Sequence, residues 1–118
     1  MGIKTYTLRL AGLFDVTFEV NHEVMTDERF HEVNNFWSNS DGRLEENNGD
    51  ICKTVLKLYA RTFFECTHYF SPVEAFNQEE GFYNLSDKSG IKVLDYDRVE
   101  LCEFDLDFVK VEQIFSPC

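Results

Sequence analysis

"TYTLRLAGLFDVTFEV", residues 5–20, alternates polar and apolar side chains on either side of one small break. Tyr6, Leu8 and Leu10 share one parity and Thr5, Thr7 and Arg9 the other. Beyond Ala11-Gly12, Phe14, Val16, Phe18 and Val20 alternate with Asp15, Thr17 and Glu19. Successive side chains of a strand point to opposite faces, so period two across both arms predicts a β-hairpin with one buried and one wet face. Gly12 falls where the tight turn is needed.

The period then changes. In "MTDERFHEVNNFWSNS", Thr26 is a good N-cap, and Asp27 and Glu28 lie in the first turn, where the helix dipole favours negative charge. Phe30, Val33, Phe36 and Trp37 form one apolar stripe, and "SNSDG" is turn chemistry, so this helix should end near Ser38. "RLEENNGD" reads as a link to a second, longer helix, "DICKTVLKLYARTFFECTHYF", capped by Asp50 and stopped by Pro72. Its apolar residues, from Ile51 through Val55, Leu56, Tyr59, Phe63 and Phe64 to Phe70, cover over half its circumference. That pattern predicts the central helix.

Residues 71–90 have weak periodicity and read mostly as loop, although "PVEAF" fits a single helical turn. "GIKVLDY" and "CEFDLDFVKVEQI" return to alternation. The expectation is one domain spanning residues 1–118, an α+β fold in the order ββααββ. An antiparallel β-sheet, made from the N-terminal hairpin and the C-terminal strands, carries two main helices packed on one face.

The 118 residues suffice for a single packed core, with 43% hydrophobic residues including twelve Phe, five Tyr and one Trp. Against 11 basic side chains stand 22 acidic ones, a net charge of −11. That argues against direct nucleic-acid binding, which requires a basic patch to displace counterions, and against docking on anionic membranes. The start, "MGIKTYTLRLAG", has no continuous apolar segment, no run in the chain is long enough to span a bilayer, and the expected location is cytoplasmic. In that compartment Cys52, Cys66, Cys102 and Cys118 are expected as reduced thiols. Cys52 and Cys66 share one predicted helix and lie about 21 Å apart, too far for a shared disulfide or metal.

Candidate chemistries fail on spacing. Cys66 and His68, two apart on a helix, point about 200° apart and do not chelate together. "DYD" and "DLD" lack the glycine and late glutamate of a calcium loop, and no nucleophile elbow, phosphate loop or dinucleotide fingerprint is present. No cofactor, metal site or catalytic residue is expected, and the reading is non-enzymatic.

The C-terminal stretch "LDYDRVELCEFDLDFVKVE", residues 94–112, holds seven carboxylates and two basic side chains. In its second half Leu101, Glu103, Asp105 and Asp107 share one parity and Cys102, Phe104, Leu106 and Phe108 the other. An extended segment therefore lines three carboxylates on one face at intervals of about 6.6 Å, close to phosphate spacing along a nucleic-acid strand. Asp95, Asp97 and Glu100 extend the negative field. One reading is a charged outer face that prevents edge-to-edge pairing. The other is a nucleic-acid mimic that binds a basic protein or nucleoprotein complex. An alternative interface is the segment 71–85, with Phe76, Phe82 and Tyr83 as anchors of self-association, for example a homodimer.

The stretch "HEVNNFWSNSDGRLEENNGDICKTVLKLYAR" resembles a family of small bacterial and prophage-encoded proteins classed as a domain of unknown function. The likeness rests on Phe36-Trp37 at the end of the first helix, the polar "SDGRLEE" link, "VLKLYAR" on the second helix, and the "VNHE" exit of the hairpin, Val20 to Glu23. It covers residues 5–61, with a fainter echo in the acidic last strands. It implies an α+β fold and a phage or mobile-element setting, and transfers no activity and no site residues. In that setting the acidic protein-binding module becomes an inhibitor of a basic, nucleic-acid-handling host complex, an anti-defence role.

Overall fold

The computed structural model describes residues 2–99. The fold is α+β. An antiparallel sheet of order β1-β2-β3 is built from β1 (Ile3–Leu10), β2 (Phe14–Asn21) and β3 (Ile91–Tyr96). Between β2 and β3 the chain forms α1 (Asp27–Phe36), α2 (Ser40–Glu46), α3 (Ile51–Cys66) and α4 (Pro72–Asn77).

The hairpin register pairs Tyr6 with Phe18, Leu8 with Val16 and Leu10 with Phe14, which collects the apolar parity of both arms on one face. At the turn both Ala11 (φ 56°) and Gly12 (φ 72°) are left-handed, and the Leu13 N–H donates to the Leu10 carbonyl at 3.0 Å. Such a turn follows the twist of the strands it joins. Between β2 and β3 the register shifts at Thr17/Phe18, so that Thr17 faces Asp95 while Phe18 faces Val93. Leu94 is the extra residue, and it is left exposed.

Val16, Phe18, Val20 and Ile91 of the sheet meet Phe30 and Val33 of α1, the apolar side of α3 and Phe76 of α4 in one core. Tyr59 of α3 is its hub, edge-on to Phe18 and Phe82 and stacked on Phe76 at 5.3 Å between ring centroids. The two expected caps are present. Thr26 Oγ1 accepts from the Arg29 N–H and Asp50 Oδ1 from the Lys53 N–H. Gly90 (φ +86°) closes the sheet against the start of α1, where a Cβ would come within 2.7 Å of the Met25 backbone nitrogen.

Several expectations are corrected. The first half of the "RLEENNGD" link is helical: α2 takes Arg43 to Glu46 from it and begins at Ser40. Arg43 holds that corner, its guanidinium donating to the carbonyls of Asn34, Trp37 and Ser38 and to Asn34 Oδ1. The central helix stops at Cys66, so Phe70 is 98% exposed instead of joining the apolar face. Pro72 does not end that helix; it opens α4 at a position where its missing N–H costs nothing. Phe36 and Trp37 leave the stripe of Phe30 and Val33 because α1 ends there, and Trp37 folds onto Phe82 instead. The expected last strand, residues 102–114, lies outside the described residues.

Candidate functional site

The apolar parity of the hairpin is covered unequally. On β2, Val16, Phe18 and Val20 are fully buried, but on β1 Tyr6 and Leu8 are half-buried and Leu10 is 41% exposed. The helices sit over β2 and β3, and α3 passes beside β1 without covering it. The result is a groove formed by three adjoining hollows of about 400, 420 and 390 Å³. Tyr6, Leu8 and Leu10 line one side and Leu56, Ala60 and Phe64 the other.

Lys53, Lys57 and Arg61 run along the α3 rim of this groove, each exposed. Spaced four residues apart, they rise about 6 Å per step along one stripe. None of the three belongs to an ion pair among the described residues, whose pairs are Arg9–Asp15, Lys92–Glu19 and Lys92–Asp87. In a chain of net charge −11 this stripe is a local reversal of sign.

At the Asn21 end of the sheet, the Tyr6 hydroxyl lies 2.8 Å from His22 Nε2 and beside Cys52. Burial pushes the Tyr6 phenol up to about 12 and, as the largest cause, also raises the Cys52 thiol. A nucleophilic cysteine needs the opposite shift, so this cluster is packing with a polar lining and not an activated thiol. Cys66 is raised by burial as well. Both Cys52 and Cys66 are free and buried, and no group of three metal-ligating side chains occurs among the described residues.

The residues singled out in the sequence fall in different places. Asp95 is exposed on β3, opposite Thr17. Asp97 exchanges hydrogen bonds with Asp15: its carboxylate accepts from the Asp15 N–H and its own N–H donates to the Asp15 carbonyl, both at 2.9 Å. Glu100, Glu103, Asp105 and Asp107 lie outside the described residues. Phe76, expected to anchor an interface, is instead fully buried among Tyr59, Phe63 and Phe82. Phe82 and Tyr83 are half-buried. The Tyr83 N–H donates to the Tyr59 hydroxyl, its ring carries the Arg29 guanidinium at 5.0 Å, and its hydroxyl donates to Glu32. Sequence reasoning missed the groove itself. Its one legible trace was the i, i+4, i+8 spacing of Lys53, Lys57 and Arg61.

No helix among the described residues is long and apolar enough to cross a membrane. No solved structure matches the chain. The chain is similar to the lambda prophage-derived protein ea10 of Escherichia coli O6:H1 strain CFT073 and to protein ea10 of Escherichia phage lambda. Each is 28% identical over 114 residues, covering 88% of this chain and 93% of that protein. A family model described as a protein of unknown function (DUF2528) matches residues 15–111, which take in β2 from Asp15, all four helices and β3 but not β1, and the chain belongs to that phage-associated family.

Proposed function

We propose that this chain is a non-enzymatic protein-binding module that engages a basic protein or nucleoprotein complex through its carboxylates. The observation that carries the reading is how its positive charges are disposed. Among the described residues Arg43 and Arg98 cap helix-end carbonyls, Arg9 and Lys92 are held in ion pairs, Arg29 lies over the Tyr83 ring, Lys53, Lys57 and Arg61 lie on the one α3 stripe, and Lys4 and Lys88 are exposed at the opposite end of the sheet from Arg9. The exposed carboxylates Glu28 and Glu32 of α1, Glu45 and Glu46 of α2, and Glu79 and Glu80 just after α4 are in no ion pair among the described residues. A field of this kind speeds encounter with a basic surface, and carboxylate–Arg forks then hold the complex.

The sharper form is a nucleic-acid decoy. Glu103, Asp105 and Asp107 occupy a host complex that grips phosphates with Lys and Arg, so that the protein acts as a phage or mobile-element inhibitor. Affinity capture from a bacterial lysate at low salt, wild type beside a Glu103→Gln, Asp105→Asn, Asp107→Asn variant, tests it. The reading expects a nucleic-acid-processing complex retained by the wild type alone, released by salt and by added nucleic acid. Equal capture by both proteins sinks the decoy.

Self-association through residues 71–85 has less support. Its central side chain, Phe76, belongs to the core, which leaves Tyr69 and Phe70 just outside that segment as the exposed aromatics of this corner.

A further inference from the structure

The β1–α3 groove differs in sign from the rest of the molecule. Of the charged side chains that line its three hollows, Lys53, Lys57 and Arg61 are in no ion pair among the described residues, and Arg9 is paired with Asp15. Glu65, at the far end, is the one carboxylate among the lining residues described. Lys4, on the β1 parity of Tyr6 and Leu8, adds a cation at the other end, close enough to Cys52 for its charge to act on that thiol. At physiological salt, charges act over about 8 Å, so this local excess outweighs the distant carboxylates for anything seated in the groove.

The floor and the edge set the rest of the occupant's chemistry. Tyr6, Leu8 and Leu10 stand across from Leu56, Ala60 and Phe64, a lining that takes apolar side chains. β1 pairs only with β2 among the described residues, and its eight residues run in unbroken register without a proline or a bulge. Natural sheet edges are commonly blunted by such devices, and an edge without them is a template for one more strand. An extended chain lying there bonds to the β1 backbone and fills the groove with apolar side chains. Its carboxylates then come within reach of the long Lys and Arg side chains on the rim.

A second copy of the chain does not meet the charge condition. Two β1 edges joined about a two-fold axis carry both α3 helices on the same face of the joined sheet. Each helix then turns its Lys53, Lys57 and Arg61 stripe towards the other, and like charges meet.

We propose that the β1 edge and the β1–α3 groove form a docking site for an extended acidic segment of a partner protein. The segment adds to β1 as a strand, with apolar side chains between β1 and α3 and carboxylates on Lys53, Lys57 and Arg61. The site uses none of the carboxylates that engage a basic partner, so it holds or fails independently of that reading.

The probe is a fluorescein-labelled, end-capped peptide of alternating valine and glutamate, as long as β1, added to the full-length protein at about 0.15 M salt. Fluorescence anisotropy should show saturable binding. A Lys53→Gln, Lys57→Gln, Arg61→Gln variant should bind at least about tenfold more weakly, because three exposed charge contacts are lost together. A Lys53→Arg, Lys57→Arg, Arg61→Lys variant keeps the charge and should stay within about threefold of wild type. The peptide should also slow exchange of the β1 amides not donated to β2. A valine–lysine peptide, which the carboxylates elsewhere on the chain attract, should leave those amides unchanged.

Absence of saturable binding overturns the proposal. Undiminished binding by the glutamine variant, or equal β1 protection by the lysine peptide, overturns it too. A dimeric mass with the β1 amides protected before any peptide is added also overturns it, in favour of a second copy. If the glutamine variant does not fold, the two peptides compared on the wild type decide alone.

Discussion

Replacing Phe76 by alanine separates a core from an interface. The side chain is fully buried, stacked on Tyr59 at 5.3 Å and packed against Phe82 and Phe63 at 5.0 and 6.3 Å between centroids. Removing it forfeits about 2–3 kcal/mol of apolar transfer and about 1 kcal/mol of aromatic contact. The rigid surround, with Tyr59 tied to the Tyr83 backbone by two hydrogen bonds, cannot collapse fully into the space. The expected loss is therefore about 3–5 kcal/mol, a large part of the stability of a domain this size. Urea unfolding followed by circular dichroism should show the midpoint about 2–3 M lower at a slope near 1.5 kcal/mol per M, with the slope unchanged. Phe76→Leu, which refills most of the volume, should cost about 1.5 kcal/mol or less. Phe70→Ala, at a side chain 98% exposed, should change stability by less than about 0.5 kcal/mol. A Phe76→Ala stability within about 1 kcal/mol of wild type, or an equal loss from Phe70→Ala, would refute the packing argument.

Arg43→Lys should destabilise by about 1–2 kcal/mol, read as a lower melting temperature, because one ammonium cannot serve the Asn34, Trp37 and Ser38 acceptors that the guanidinium fork reaches together. Stability should also fall at alkaline pH. Burial raises the Tyr6, Tyr59 and Cys52 values in the folded state, so the unfolded chain ionises first. The contribution is complete below about pH 8 and is lost as pH rises through about 10 towards 12, the folded value of Tyr6. Denaturation midpoints at stepwise pH check this; Tyr6→Phe should show a shallower decline, and a rise in stability between pH 9 and 11 would contradict the sign.

The hairpin, both main helices with their Thr26 and Asp50 caps, and β3 were legible because each carries its own period over enough residues to bury a face. So was the phage-associated family. The short helices were not. Only Leu44 of α2 packs on the core, and six residues of α4 make too few turns to show a stripe. The end of α3 was misplaced because Phe70 continues the apolar pattern on paper, whereas backbone geometry stops at Cys66 and leaves that ring in water.

The candidate groove divides in the same way. Alternation determined that Tyr6, Leu8 and Leu10 share a face. Only tertiary structure decided that α3 stands beside β1 and not over it, leaving that face half open. The sequence likewise determined how the carboxylates and apolar residues of 102–108 alternate. That Arg98 and Val99 reach across the end of α3, with Val99 beside Leu10, was decided by tertiary contacts alone. The physical reason is range. Periodicity reports what a segment must bury, but which surface remains to receive it depends on contacts between residues far apart in the chain.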